Sequence, residues 1–206
     1  LKLLDVHTTI GCNLSCKGCN HFSNYFAPSS KLDTDALLRD IEVILPRLDL
    51  GRVNVIGGEP LLNPRCEEIL NTCISSTKSL VYLYTNGLLL HKNEDWIRKA
   101  LENPRVFLRI SIHLKEVEDI IKKFNHPKVL VTVHHTGQDR WFNSIKKKDN
   151  KVYPYNHNSI TRSYNACSCP NPQLYNGKLW KCPNTAYLRE FCLLYTSDAA
   201  DDTDSV

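Results

Sequence analysis

The feature that most constrains this chain is an alternation of strand-like and helix-like segments, repeating at intervals of roughly 25 residues over its first 135 positions. "LKLLDVHTTI" (1–10), "RVNVIGGEP" (52–60), "SLVYLYTNG" (79–87), "RVFLRISIH" (105–113) and "KVLVTVHH" (128–135) read as strands. They are rich in β-branched and aromatic residues, and several end in turn signals. Between them lie "DTDALLRDIEVILPRL" (33–48), "NPRCEEILNTCISS" (63–76), "NEDWIRKALEN" (93–103) and "KEVEDIIKKF" (115–124). In the first of these, Leu37, Leu38, Ile41, Ile44 and Leu45 recur at helical spacing. Asp33 or Thr34 is placed to cap it, Pro64 falls near the first turn of the second helix, and Pro104 stops the third. Repeated βα units predict a parallel sheet with helices outside it. The expected class is α/β: a partial (β/α)6 TIM-like barrel of parallel strands, with a small C-terminal hairpin. In such folds the loops after the C-terminal ends of the strands carry the chemistry.

Composition narrows the function classes. The chain has 206 residues and a formal net charge of +4. That length supports one sizeable core. No apolar run approaches the roughly 20 residues that span a bilayer, so no membrane partner is expected. The lysine run Lys146–Lys148 has no aromatic platform beside it and reads as a solvated loop, so no nucleic acid is expected either. No signal peptide is visible, although Leu1 is not a start methionine and the true N-terminus is left open. "CLLYTSDAADD" (192–202) resembles a translated sequencing adapter, so 192–206 is expected to be a non-native tail. Without its four aspartates the net charge becomes +8.

Nine cysteines in a chain this long do not suggest a disulfide framework, because a core of this size needs no staples. Six of them cluster as Cys12, Cys16, Cys19 and as Cys167, Cys169, Cys182, which suits metal ligation. Cys66 and Cys73 are seven apart on a helical pattern and are expected in the core. Three thiols within eight residues leave one position of a four-ligand centre open, and an open position admits substrate or cofactor.

Cys12-x3-Cys16-x2-Cys19, followed at the end of the next strand by Gly57-Gly58-Glu59-Pro60, resembles the radical S-adenosylmethionine enzymes, over roughly residues 1–135. The resemblance implies a [4Fe–4S] cluster on the three cysteines, with S-adenosylmethionine on the iron that lacks a protein ligand. It implies reductive cleavage of the sulfonium to a 5′-deoxyadenosyl radical that abstracts hydrogen from a small-molecule or peptide substrate, with the electron supplied by a donor such as flavodoxin or ferredoxin. It further implies that Gly57, Gly58, Glu59 and Pro60 hold the methionine end, the glycines allowing backbone to approach a ligand closely. Thr85, Asn86, Ser111 and His113 end the following strands on the same rim and are candidate cofactor contacts. Of His134 and His135, at most one faces inward. The family usually has an aromatic residue before the third cysteine, where this chain has Gly18, so His21 or Phe22 is the candidate replacement.

Residues 136–191 read as a linker followed by a truncated region that resembles the SPASM or twitch auxiliary-cluster module. Asn176-Gly177 forms the turn of its hairpin, and Cys167, Cys169 and Cys182 are candidate ligands of a second iron–sulfur cluster. The alternatives are a zinc-stabilised, non-catalytic binding module, or an activase that installs a glycyl radical on a partner. Oxygen-sensitive clusters imply a reducing interior, hence a cytoplasmic protein.

Overall fold

The computed structural model describes residues 1–16, 19–30, 32–134, 145–148, 151–154 and 171–193. The first five strands are β1 (Leu3–His7), β2 (Arg52–Ile56), β3 (Leu80–Thr85), β4 (Val106–Ile112) and β5 (Val129–Val133). They alternate with α1 (Thr34–Ile44), α2 (Cys66–Ser76), α3 (Glu94–Leu101) and α4 (Glu116–Phe124). Then come a hairpin of β6 (Ile145–Lys148) and β7 (Lys151–Pro154), a second hairpin of β8 (Gln173–Tyr175) and β9 (Lys178–Trp180), and α5 (Pro183–Leu193). The expected α/β fold is present as a mostly parallel, partial TIM-like sheet of seven strands in the order β5-β4-β3-β2-β1-β8-β9.

Every segment expected as a helix or strand over 1–135 forms one, each shortened by a few residues at its ends. Asp33 caps α1, its side chain accepting the Ala36 N–H at 3.1 Å. Arg105 satisfies carbonyls left open where α2 ends, donating to Ile74 O at 3.0 Å and Thr77 O at 2.6 Å. One reading needs correction: Lys146–Lys148 lies in a strand paired antiparallel to β7, not in a loop. The expected C-terminal hairpin forms and joins the main sheet: β8 runs parallel to β1, with Asp5 opposite Gln173 and Val6 opposite Leu174. The sixth parallel strand is thus supplied from far along the chain.

The register sorts side chains to two faces. Leu4 lies opposite Val53, Val53 opposite Val81 and Val81 opposite Val106, so these residues share one face. That face is apolar and packs on α1 to α4 through residues such as Ile41, Ile69, Ile97 and Val117. Cys66 and Cys73 sit in this core as small hydrophobes, as expected. The other face carries Asp5, Asn54, Tyr84, Arg109 and Thr132, and it forms the floor and wall of a cavity. A second apolar cluster, of Ile10, Phe22, Tyr175 and Tyr187, ties the loop after β1 to the hairpin and α5.

Candidate active site

The segment after β2 continues to pair with the chain leaving β1. Thr8 N–H donates to Ile56 O (2.8 Å), Gly58 N–H to Thr9 O (2.9 Å) and Glu59 N–H to Gly11 O (3.1 Å). A Cβ on Gly57 would lie 2.7 Å from Thr9 O, and one on Gly58 would collide with the Gly11 carbonyl. The two glycines therefore admit the backbone that leads into the cysteine loop. Both also border the cavity.

Glu59 is wholly buried beneath the cavity-lining residues Thr85 and Asn86 that it bonds. Its carboxylate accepts the Thr85 hydroxyl (2.7 Å), the Asn86 N–H (2.8 Å) and the Leu61 N–H (3.1 Å). Burial pushes its pKa up to about 7, against those three donors. Glu59 thereby joins the loop after β2 to the loop after β3. Asn86 extends the link: its amide donates to Asn13 Oδ1 at 2.7 Å and approaches Cys12 Sγ at 3.8 Å. Pro60, Thr85 and Asn86 all border the cavity.

Cys12, Cys16 and Cys19 form no disulfide, each is part-exposed, and all three open on the same cavity of about 440 Å³. The loop folds back on itself through Cys19 N–H to Cys16 O (3.3 Å) and Phe22 N–H to Cys19 O (3.1 Å). Burial pushes the Cys12 thiol up to about 12. The Glu59 carboxylate and the two other cysteines add to the shift, and the Leu14 N–H opposes it. Among the described residues no group of three or more His, Cys, Asp or Glu side chains is arranged to hold a metal ion. A four-iron cluster asks for a different arrangement, since each cysteine binds a different iron and the sulfurs border a shared space. Three thiols outside any disulfide, around one cavity, fit that demand.

The wall opposite the loop comes from alternate residues of β4 and β5 and the positions just after them. Ser111 pairs with Thr132 in the register, and His113 stacks on His134 with ring centroids 4.9 Å apart. All four border the cavity, as does His21. His135 lies outside the described residues. Phe22 is only 1 % exposed and packs into the second apolar cluster, so it offers no stacking surface to a ligand. His21 instead packs 4.9 Å from His7, and burial lowers its pKa to about 4.

Among the cavity residues that escaped the sequence reading are Asp5, Arg52, Tyr84, Arg109 and Thr132. The signal was present in β4, where Arg109, Ser111 and His113 alternate with Leu108, Ile110 and Ile112. A parallel strand covered by helices on both faces would be apolar throughout.

Cys182 is buried at the start of α5, and its Sγ lies 3.7 Å from Thr185 Oγ1. The hairpin before it turns at Asn176-Gly177 as expected, both residues with positive φ. Cys167 and Cys169 lie outside the described residues, as does 194–206 of the expected tail.

Comparison with known proteins places this architecture. A model of the Radical SAM superfamily matches residues 6–146. The GTP 3′,8-cyclase of Aquifex aeolicus (strain VF5) is 32% identical over 104 residues, covering 48% of this chain and 32% of that protein. The GTP 3′,8-cyclase of Mycolicibacterium smegmatis (strain ATCC 700084 / mc(2)155) is 30% identical over 118 residues, covering 56% and 31%. The chain thus spans about a third of the length of these curated relatives. In fold it resembles the crystal structure of BtrN in complex with AdoMet and 2-DOIA, with a TM-score of 0.52 at 18% identity, over 66% of this chain and 57% of that one.

Proposed function

This chain belongs to the radical SAM superfamily, and from that membership we propose that it is the core of an enzyme binding a [4Fe–4S] cluster on Cys12, Cys16 and Cys19, with S-adenosylmethionine beside it. The observation that carries the reading is the convergence of those three cysteines, Gly57-Gly58 and Ser111 on one cavity. When bound, the cluster supplies an electron, passed on from a flavodoxin- or ferredoxin-type donor, to the sulfonium of S-adenosylmethionine, giving the 5′-deoxyadenosyl radical that takes hydrogen from a small-molecule or peptide substrate.

The chain's own residues position and enclose. Glu59 locks the loops after β2 and β3 together, and Asn86 holds the cysteine loop through Asn13. The backbone of Gly57 and Gly58 fixes the distance between that loop and the second strand. Ser111 and His113 present polar groups to a nucleoside on the opposite wall. Phe22, Tyr175 and Tyr187 seal the loop from behind with apolar surface that excludes water. Cys182, with Cys167 and Cys169, is proposed to hold a second cluster, and the protein to work in the cytoplasm. Among the described residues no helix is long and apolar enough to cross a membrane.

Anaerobic reconstitution of the chain with iron and sulfide tests the reading. The expected result is a protein with iron and sulfide bound that releases 5′-deoxyadenosine from S-adenosylmethionine under reducing conditions. Cys16→Ala should abolish that release completely. A reconstituted chain that binds zinc alone, or leaves S-adenosylmethionine intact, would overturn the proposal.

A further inference from the structure

The cavity face of the sheet carries two arginines whose charge no neighbouring carboxylate neutralises directly. Arg109, in the middle of β4, places its guanidinium 5.6 Å from the Tyr84 ring centroid and donates one long hydrogen bond, 3.3 Å, to Thr132 Oγ1. Arg52, at the start of β2, lies 5.0 Å from the Tyr82 ring centroid, and its Nε is buried without a hydrogen-bond partner. Both border the same cavity as the cysteine loop. Neither forms an ion pair among the described residues.

Among the described residues the one carboxylate bordering this floor is Asp5, and it is committed elsewhere. Its two oxygens accept Asn54 Nδ2 at 2.6 Å and Gln173 Nε2 at 2.7 Å. Burial raises its pKa, with Arg52 acting only as a minor opposing charge. Arg52 and Arg109 rise from β2 and β4 on the same face of the sheet, two strands apart, and border one cavity. A guanidinium has five donors in a rigid fork suited to two oxygens of one anion. Arg109 leaves most of its donors for such a ligand, and an unpaired charge in a half-enclosed cavity is costly unless a ligand meets it.

We propose that Arg109 and Arg52 bind an anionic group of the substrate, a carboxylate or a phosphate. This rests on the cavity being the substrate and cofactor cavity proposed above. The anion is assigned to the substrate because of depth. Arg52 precedes Gly58 by six residues along β2 and its exit, roughly 20 Å of extended chain, so a methionine carboxylate held at the cysteine loop is out of its reach. Ser111 lies one inward-facing position nearer the loop than Arg109 and is better placed for the cofactor.

The test uses the full chain with inorganic pyrophosphate and succinate as probes, read by isothermal titration at low salt. S-adenosylmethionine binding to the reconstituted protein is measured in parallel. The expected result is probe binding by wild type that falls roughly tenfold or more in Arg109→Gln and in Arg52→Gln, with S-adenosylmethionine affinity unchanged in both. Arg109→Lys keeps the charge without the fork. It serves if a glutamine variant does not fold by circular dichroism, and it should weaken the probes several-fold. Three outcomes would overturn the inference: no probe binding by wild type, probe binding indifferent to these variants, or loss of S-adenosylmethionine in place of the probes. Cleavage of S-adenosylmethionine by wild type without any anion separates the two readings, since it upholds the cofactor assignment whatever the probes do.

Discussion

The two faces of one sheet follow opposite rules. On the helix side, Leu4, Val53, Val81, Leu83 and Leu108 are at most 1 % exposed and contact apolar residues of the helices. On the cavity side, the residues between them are Asp5, Asn54, Tyr84 and Arg109, satisfied by one another or open to the cavity. A strand's two-residue period lets a single segment of sequence serve both purposes. Stability is therefore concentrated on one side and chemistry on the other, separated by the thickness of a backbone. The exception is Glu59, a charged group set into the helix side with Thr85 as its partner.

The largest effects should come from the helix side. Leu83→Ala should cost about 2–5 kcal/mol of unfolding free energy by chemical denaturation, because it empties a site closed on every side. Glu59 tests the exception. Its pKa in the folded protein, about 7, lies above the ordinary 4.5, so the folded state holds the proton more tightly than the unfolded chain does. Its contribution is fully present below about pH 4.5 and fades as pH rises to about 7, by roughly 2–4 kcal/mol. Wild type should lose more stability across that window than Glu59→Gln does, and equal slopes would show that the carboxylate is not held in this way. The smallest stability effect belongs to the cavity side. Ser111→Ala should stay within about 0.5 kcal/mol of wild type while weakening S-adenosylmethionine binding. A large loss of stability there would erase the contrast between the faces.

The helix side was the legible one. Its apolar residues recur at two periods, 3.6 in helices such as Leu37 and Ile41 and 2 in the strands, and both periods are local properties of the sequence. The cysteine loop was legible for the same reason, being a spacing within eight residues. What stayed hidden depends on partners far away in the chain. Nothing near Glu59 announces Thr85 and Asn86 as its donors, and nothing near Asn13 announces Asn86. The part Gly57 and Gly58 play against the chain itself was also hidden, because the obstacle a side chain would meet is the backbone of Thr9 to Gly11, more than 40 residues earlier. The pairing of β8 with β1 is the extreme case, since three residues of strand carry no record of which edge they will join.

That pairing has a consequence for how the protein is born. Gln173 meets Asp5 across 168 positions of chain, so during synthesis β1 waits with one bare edge until the segment around Gln173 has emerged. Its backbone donors and acceptors stay open to any passing strand during that interval. Contacts of such long sequence separation form slowly, and the waiting species is the one most exposed to self-association. Ribosomal pausing or premature release upstream of the second hairpin would leave a chain in which an interior strand has been promoted, wrongly, to an outermost one.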